Sequence, residues 1–191
     1  MISQRGTISG LGALACAIAV GAMAPPAALG EERACRGTIG ARTLDNVRVP
    51  QGAECVLRRT LVKGTVKVER RATLRARRVR VVGNVQGENA RRVNVVRRSR
   101  VGGSVQVVQG GAATVRRSRI NGDILYDENR RFLRAIKNRV GGNVQLFQNS
   151  GGARVYRNVI DGNLQCKENR PRPVGGGNRV AGSKEDQCAR L

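Results

Sequence analysis

The chain has 191 residues, no histidine, only four aromatic side chains, and 36 lysines and arginines against 13 acids, a formal net charge of +23. That composition excludes histidine-based metal and acid–base chemistry and leaves too few flat rings for base stacking or tight neutral-sugar recognition. Any contact with a polyanion would be electrostatic and strongly salt-dependent.

Residues 1–30 read as a secretory signal peptide: Arg5 supplies the positive n-region, Leu11 to Ala24 is an apolar run, and no acid precedes Glu31. The run is too short and too small in side-chain volume for a membrane span. Ala28-Leu29-Gly30 fits the small-x-small rule for cleavage after Gly30. Cys16 lies in the run, but Ala13 stands where a lipobox carries a large aliphatic residue. The mature chain is thus expected outside the cytoplasm, secreted or periplasmic.

From residue 46 onward the sequence repeats. Asn46-Val47-Arg48-Val49 sets a first copy, and glycines then recur as Gly64, Gly83, Gly103, Gly122, Gly142, Gly162 and Gly182, in steps of 19 or 20 residues. Two residues after each glycine come Val66, Val85, Val105, Ile124, Val144, Leu164 and Lys184. Two before it come Val62, Val81, Val101, Ile120, Val140, Ile160 and Val180. Thr65, Asn84, Ser104, Asp123, Asn143, Asn163 and Ser183 follow the glycine directly, and Ser99, Ser118, Asn138, Asn158 and Asn178 stand four before it.

A period so regular means one supersecondary unit stacked on itself. Segments such as Val66-Lys67-Val68 and Val93-Asn94-Val95 alternate apolar and polar over three or four β-branched residues, the mark of short strands. Three strands and three bends in about twenty residues make one coil of a right-handed parallel β-helix, here about seven coils in an all-β domain over 31–191. The aliphatic columns face inward, the Asn and Ser columns bond coil to coil, and the Gly-Asn and Gly-Ser pairs are expected to supply left-handed or tight corner conformations.

Four cysteines follow residue 30. Cys35 and Cys55 are 20 residues apart and Cys166 and Cys188 are 22 apart, each about one coil. Residues one coil apart stack within disulfide reach, so these spacings select Cys35–Cys55 and Cys166–Cys188, one bridge closing each end. The stretch from Pro171 to Gly177 breaks the pattern, and the sequence leaves its packing open.

The cations are placed in columns. Arg80, Arg100, Arg119, Arg139 and Arg179 stand three residues before the repeat glycine, and the pairs Arg77-Arg78, Arg97-Arg98 and Arg116-Arg117 share nearly one phase in three consecutive coils. Stacked, they form basic columns along one side. Neighbouring like charges repel by somewhat under about 1 kcal/mol in water, and a polyanion lying along the column relieves that. Candidate partners are lipopolysaccharide, teichoic acid, acidic polysaccharide and DNA. The plainer reading is a solvated coat that keeps the protein soluble.

Catalysis by a β-helix on acidic polysaccharide needs paired carboxylates or calcium-binding acids beside a base. The acids here are sparse. Asp123 and Asp161 sit near corners one residue out of phase, and Asp127, Glu128 and Glu168 fall in turn regions. No cofactor or metal set stands out, and the reading is non-catalytic.

The ending Gly162-Asn163-Leu164-Gln165-Cys166-Lys167-Glu168-Asn169, with Pro171, Pro173 and Lys184-Glu185-Asp186-Gln187-Cys188, resembles that of small secreted bacterial repeat proteins of unassigned function. The resemblance runs back to about Ala34; it implies secretion and the Cys166–Cys188 pair but no active site. In architecture the chain is also similar to bactofilins, cytoplasmic β-helices that polymerise end to end and lack such cysteines. Two functions remain open at this point: a non-catalytic envelope or extracellular protein binding acidic polymers through its arginine columns, or a self-assembling structural β-helix whose charge serves solubility.

Overall fold

Residues 31–191, the part described by a computed structural model, wind into a β-solenoid of about eight turns. The expected leader, with Cys16, lies outside the described residues. One turn shows the plan: Val85–Glu88 lies in a first sheet, Arg92–Val96 in a second and Arg100–Val101 in a third, and the chain then re-enters the first sheet at Val105–Val108. Every strand pairs in parallel with its counterpart one turn away, giving sheets of nine, eight and eight strands. Glu32–Leu44 completes an initial turn that has no repeat glycine, so the stack is taller than the glycine count implies.

The registers turn the sequence columns into ladders. Val47, Val66, Val85, Val105, Ile124, Val144 and Leu164 stack inward on the first sheet, and Val62, Val81, Val101, Ile120, Val140 and Ile160 on the third. All are fully buried. The ladder ends where Lys184 pairs with Leu164 and turns to solvent on the last turn. Sizes compensate across the interior: Tyr126 fills the width between sheets and donates its hydroxyl to the Arg134 carbonyl at 3.0 Å. Gly87 takes the equivalent place two turns earlier, where a Cβ would come within 2.8 Å of Val93.

The repeat glycines act differently from expectation. None has a positive φ; among the described glycines that conformation belongs to Gly37, Gly52, Gly152 and Gly177. The repeat glycines are required for space instead. A Cβ on Gly83 would lie 2.7 Å from the Gly64 carbonyl and 2.9 Å from Thr65 Oγ1, and Gly103, Gly142 and Gly182 would press on Asn84, Asp123 and Asn163 in the same way. The small polar residue after each glycine needs that room, because its side chain accepts a hydrogen bond from the backbone of the next turn: Ser104 N to Asn84 Oδ1 at 2.8 Å, Asp123 N to Ser104 Oγ at 2.9 Å, Asn163 N to Asn143 Oδ1 at 2.8 Å.

Two further polar spines are buried at the other corners. Asn138, Asn158 and Asn178 form the expected one, each amide donating to the next and back to a carbonyl of the second sheet. Asn129, Asn149, Asn169 and Gln187 form a second, not singled out from the sequence. Cys35 bonds Cys55 and Cys166 bonds Cys188, as the coil spacing required. The Pro171–Gly177 stretch packs: Pro173 is buried, and Val174–Gly176 becomes the last strand of the second sheet against Arg154–Tyr156.

Candidate functional site

The second and third sheets meet at a tight corner whose first residue lies in the left-handed region in every turn that has a repeat glycine. Its occupants are Arg59, Arg78, Arg97 with Arg98, Arg117, Lys137 and Arg157, with φ between 51° and 64°, and finally Gly177. The next residue points inward and is buried: Thr60, Val79, Ser99, Ser118, Asn138, Asn158 and Asn178. Anchored from inside, the corner presents one or two exposed cations per turn on six successive turns.

The backbone does not require arginine there. The corner between the first and second sheets uses the same left-handed conformation for Arg71, Asn89, Gln109, Glu128, Gln148 and Glu168. Those residues are mostly neutral or acidic and bond along the ladder, Gln109 Nε2 to Glu128 Oε2 at 3.0 Å and Gln148 Nε2 to Glu168 Oε2 at 2.9 Å. An L-residue with a Cβ in this region costs roughly 1–2 kcal/mol, which glycine avoids and asparagine reduces, and both corners bear that cost. Directly stacked like charges add to that. One corner of the solenoid avoids the charge repulsion; the other accumulates it.

Beside this ridge runs the row anticipated on the third sheet. Arg80, Arg100, Arg119 and Arg139 pair in register on four consecutive turns. Val159 interrupts the row, so Arg179 stands apart from it. Of the expected arginine pairs, Arg78, Arg97, Arg98 and Arg117 form the corner, whereas Arg77 and Arg116 end second-sheet strands with Val96 between them. The turn containing Arg97 and Arg98 has one extra corner residue, which displaces that pair relative to the others. Arg77, Arg78, Arg97, Arg98, Arg116 and Arg117 together line a shallow depression of about 890 Å³.

Arg59, Lys137 and Arg157 belong to the same ridge and were missed. All three stand five residues before a repeat glycine, in phase with Arg78, Arg98 and Arg117, so the column was present in the alignment. Arg75, Arg134 and Arg154 extend the basic surface over the second sheet, where Arg134 and Arg154 also stack on Phe132, 4.5 and 5.5 Å from its ring centre.

The acids lie elsewhere. Glu54 is the one acid in a second-sheet strand, paired with Arg75 and Arg91, and the third-sheet strands contain none; Glu32, Glu88, Asp127, Glu185 and Asp186 are in strands of the first sheet. None of the ridge or row cations takes part in an ion pair among the described residues. The solenoid is therefore polarised across its width, with a cationic edge opposite a first sheet that holds most of the strand acids.

The acids weighed for catalysis have structural surroundings. Asp123 accepts from Asn143 N in the corner ladder, while Glu128 and Glu168 are held by glutamines. Asp127 is half-buried and its pKa is raised, by desolvation first and by the neighbouring Glu128 charge second. Among the described residues no group of three or more Cys, Asp or Glu is arranged to hold a metal ion, and no helix is long and apolar enough to cross a membrane. The two disulfides are compatible with an extracellular location. No protein-family model, curated protein or solved structure matches the chain.

Proposed function

We propose that this protein is a non-catalytic, secreted or cell-envelope β-solenoid that binds acidic polymers along its cationic edge. The observation that carries the reading is the corner between the second and third sheets. Six successive turns stack arginine or lysine at this left-handed corner, whereas the neighbouring corner with the same backbone fills most of its places with asparagine, glutamine and glutamate, some of them bonded to one another. A coat serving only solubility has no need of that concentration, since dispersed charges serve equally well.

Binding is electrostatic and spread over many contacts, so affinity falls steeply with salt. The test is titration of the disulfide-bonded protein with lipopolysaccharide, DNA, polyuronate and neutral glucan across a salt series. A variant with Arg80, Arg100, Arg119 and Arg139 replaced by serine serves as control. Retention of an acidic polymer at about 0.15 M salt, where charges are screened beyond roughly 8 Å, and its loss in the variant support the proposal. Equal, weak adsorption of every polyanion that disappears by that salt concentration reduces the charge to a coat.

A further inference from the structure

Every sheet of the solenoid begins in the first turn and ends in the last, so each end of the rod presents three strand edges. Glu32–Ala34, Gly37–Ile39 and Thr43–Leu44 form one end; Lys184–Asp186, Val174–Gly176 and Arg179–Val180 form the other. Edges of matching pitch are a template for a second copy, set head to tail as one more turn.

Two of the three sheets would accept that copy. Followed through the stack, the register places Leu44 and Val180 in one inward column of the third sheet. It places Ile39 and Gly175 in one inward column of the second, with the Leu191 side chain close beside Gly175. Ile39, Leu44, Val180 and Leu191 are all partly buried and pack on the core from its ends, so apolar groups would meet apolar groups. The first sheet differs. Its inward column is aliphatic from Val47 to Leu164 but has Arg33 at one end and Lys184 at the other. Both are exposed, and neither takes part in an ion pair among the described residues. Two places further on, Asp186 would meet Cys35, which is buried and already bonded to Cys55.

We propose that Arg33 and Lys184 hold the ends of neighbouring molecules apart, so that the protein is a rod of fixed length. In a head-to-tail stack the two cations would lie about 4.8 Å apart, turned toward the interior, with no acid in their column. Like charges set against each other exclude a partner that shape alone would admit, and inward-pointing charges are a recurrent means of closing a sheet edge. Their common sign matters. A cation at one end and an acid at the other would blunt each end against water equally well, yet would pair in the stack. The inference is drawn for the chain with its leader removed, as the secretion reading has it, and is independent of polyanion binding. It argues against the self-assembling alternative and limits the cationic ridge to the six turns of one molecule.

The test is sedimentation velocity of the processed, disulfide-bonded protein over a concentration series at about 0.15 M salt, with electron microscopy for filaments. The parent is expected to remain a single species. Lys184→Glu sets a carboxylate in the column of Arg33, and Arg33→Glu sets one in the column of Lys184. Each single variant is expected to associate end to end at least about tenfold more tightly than the parent. The double variant R33E/K184E restores like charges and returns to the single species. Loss of net charge alone predicts the opposite order, because the double variant is the least cationic of the set. Both side chains are exposed in the monomer, so folding does not depend on them. Oligomers of the parent, single variants no more associated than the parent, or a double variant that associates as they do would each overturn the inference. None of these outcomes bears on the polymer titration above, whose serine control leaves both ends intact.

Discussion

Replacing Arg117 by asparagine separates what the fold needs from what the cationic ridge supplies. Arg117 has φ of 51° and sits between the turns of Arg98 and Lys137, to which its backbone is bonded through Arg98 N to Arg117 O and Arg117 N to Ile136 O. Asparagine tolerates the left-handed region, so the substitution relieves roughly 1 kcal/mol of backbone strain without the added chain entropy of glycine. It also removes repulsion from two neighbours about 5 Å away, each somewhat under about 1 kcal/mol at low salt and less at physiological salt. No ion pair is lost in return. The expected gain is about 1–2 kcal/mol, or a rise in Tm of several degrees for a chain of this size, accompanied by weaker polyanion binding. The assay is thermal and urea unfolding beside affinity measurement, at low and at physiological salt. If R117N is less stable than the parent, or more stable with unchanged binding, the argument that the corner gives up stability for charge is refuted.

Asn158→Ala removes an acceptor from both Asn138 N and Asn138 Nδ2, each 3.0 Å away, and a donor to the Ala135 carbonyl at 2.8 Å. At roughly 1–3 kcal/mol per orphaned buried group, the loss is about 2–6 kcal/mol by urea unfolding, and a loss below about 1 kcal/mol would show that water repairs the gap. The Thr73 hydroxyl is buried with no partner among the described residues, so Thr73→Val is expected to be neutral or stabilising by about 1 kcal/mol; clear destabilisation in a melting curve would reveal a partner. Burial raises the Tyr126 phenol well above its ordinary value, and the nearby Val115 backbone only partly offsets this. The folded state therefore retains a proton that the unfolded chain loses above about pH 10, and stability falls as pH rises beyond that point. Tyr126→Phe should flatten this alkaline slope in unfolding measured from pH 8 to 11.

The columns that encode the fold were legible because stacking makes residues twenty apart into neighbours. Val47 to Leu164 could be read as an inward ladder, and Cys35 with Cys55 as a staple, from spacing alone. The role of the glycines was not legible, since Gly83 looks the same whether it is needed for φ or for the room occupied by Thr65. Nor was the ridge complete. Arginine carries no signature of a left-handed backbone, so Arg59, Lys137 and Arg157 passed for ordinary surface charge although their phase matched Arg78. Interruptions such as Val96 and Val159 became meaningful only once strand register fixed which arginines touch.

The buried amide spines occupy only part of the stack. Asn129 to Gln187 and Asn138 to Asn178 bond the later turns together through paired amides, whereas the same corner positions earlier hold Ala72, Ala90 and Gly110 at one corner and Thr60, Val79, Ser99 and Ser118 at the other, where at most single hydroxyls replace the amides. In a solenoid each turn is supported only by its neighbours, so the rod is unequal along its length. Under tension it opens first in the turns between Cys55 and Asn129, and the amide-linked end persists as a folded remnant closed by Cys166–Cys188. That remnant retains Lys137, Arg139 and Arg157 but sheds most of the four-arginine row, so partial opening would dismantle the row of cations before the fold is lost.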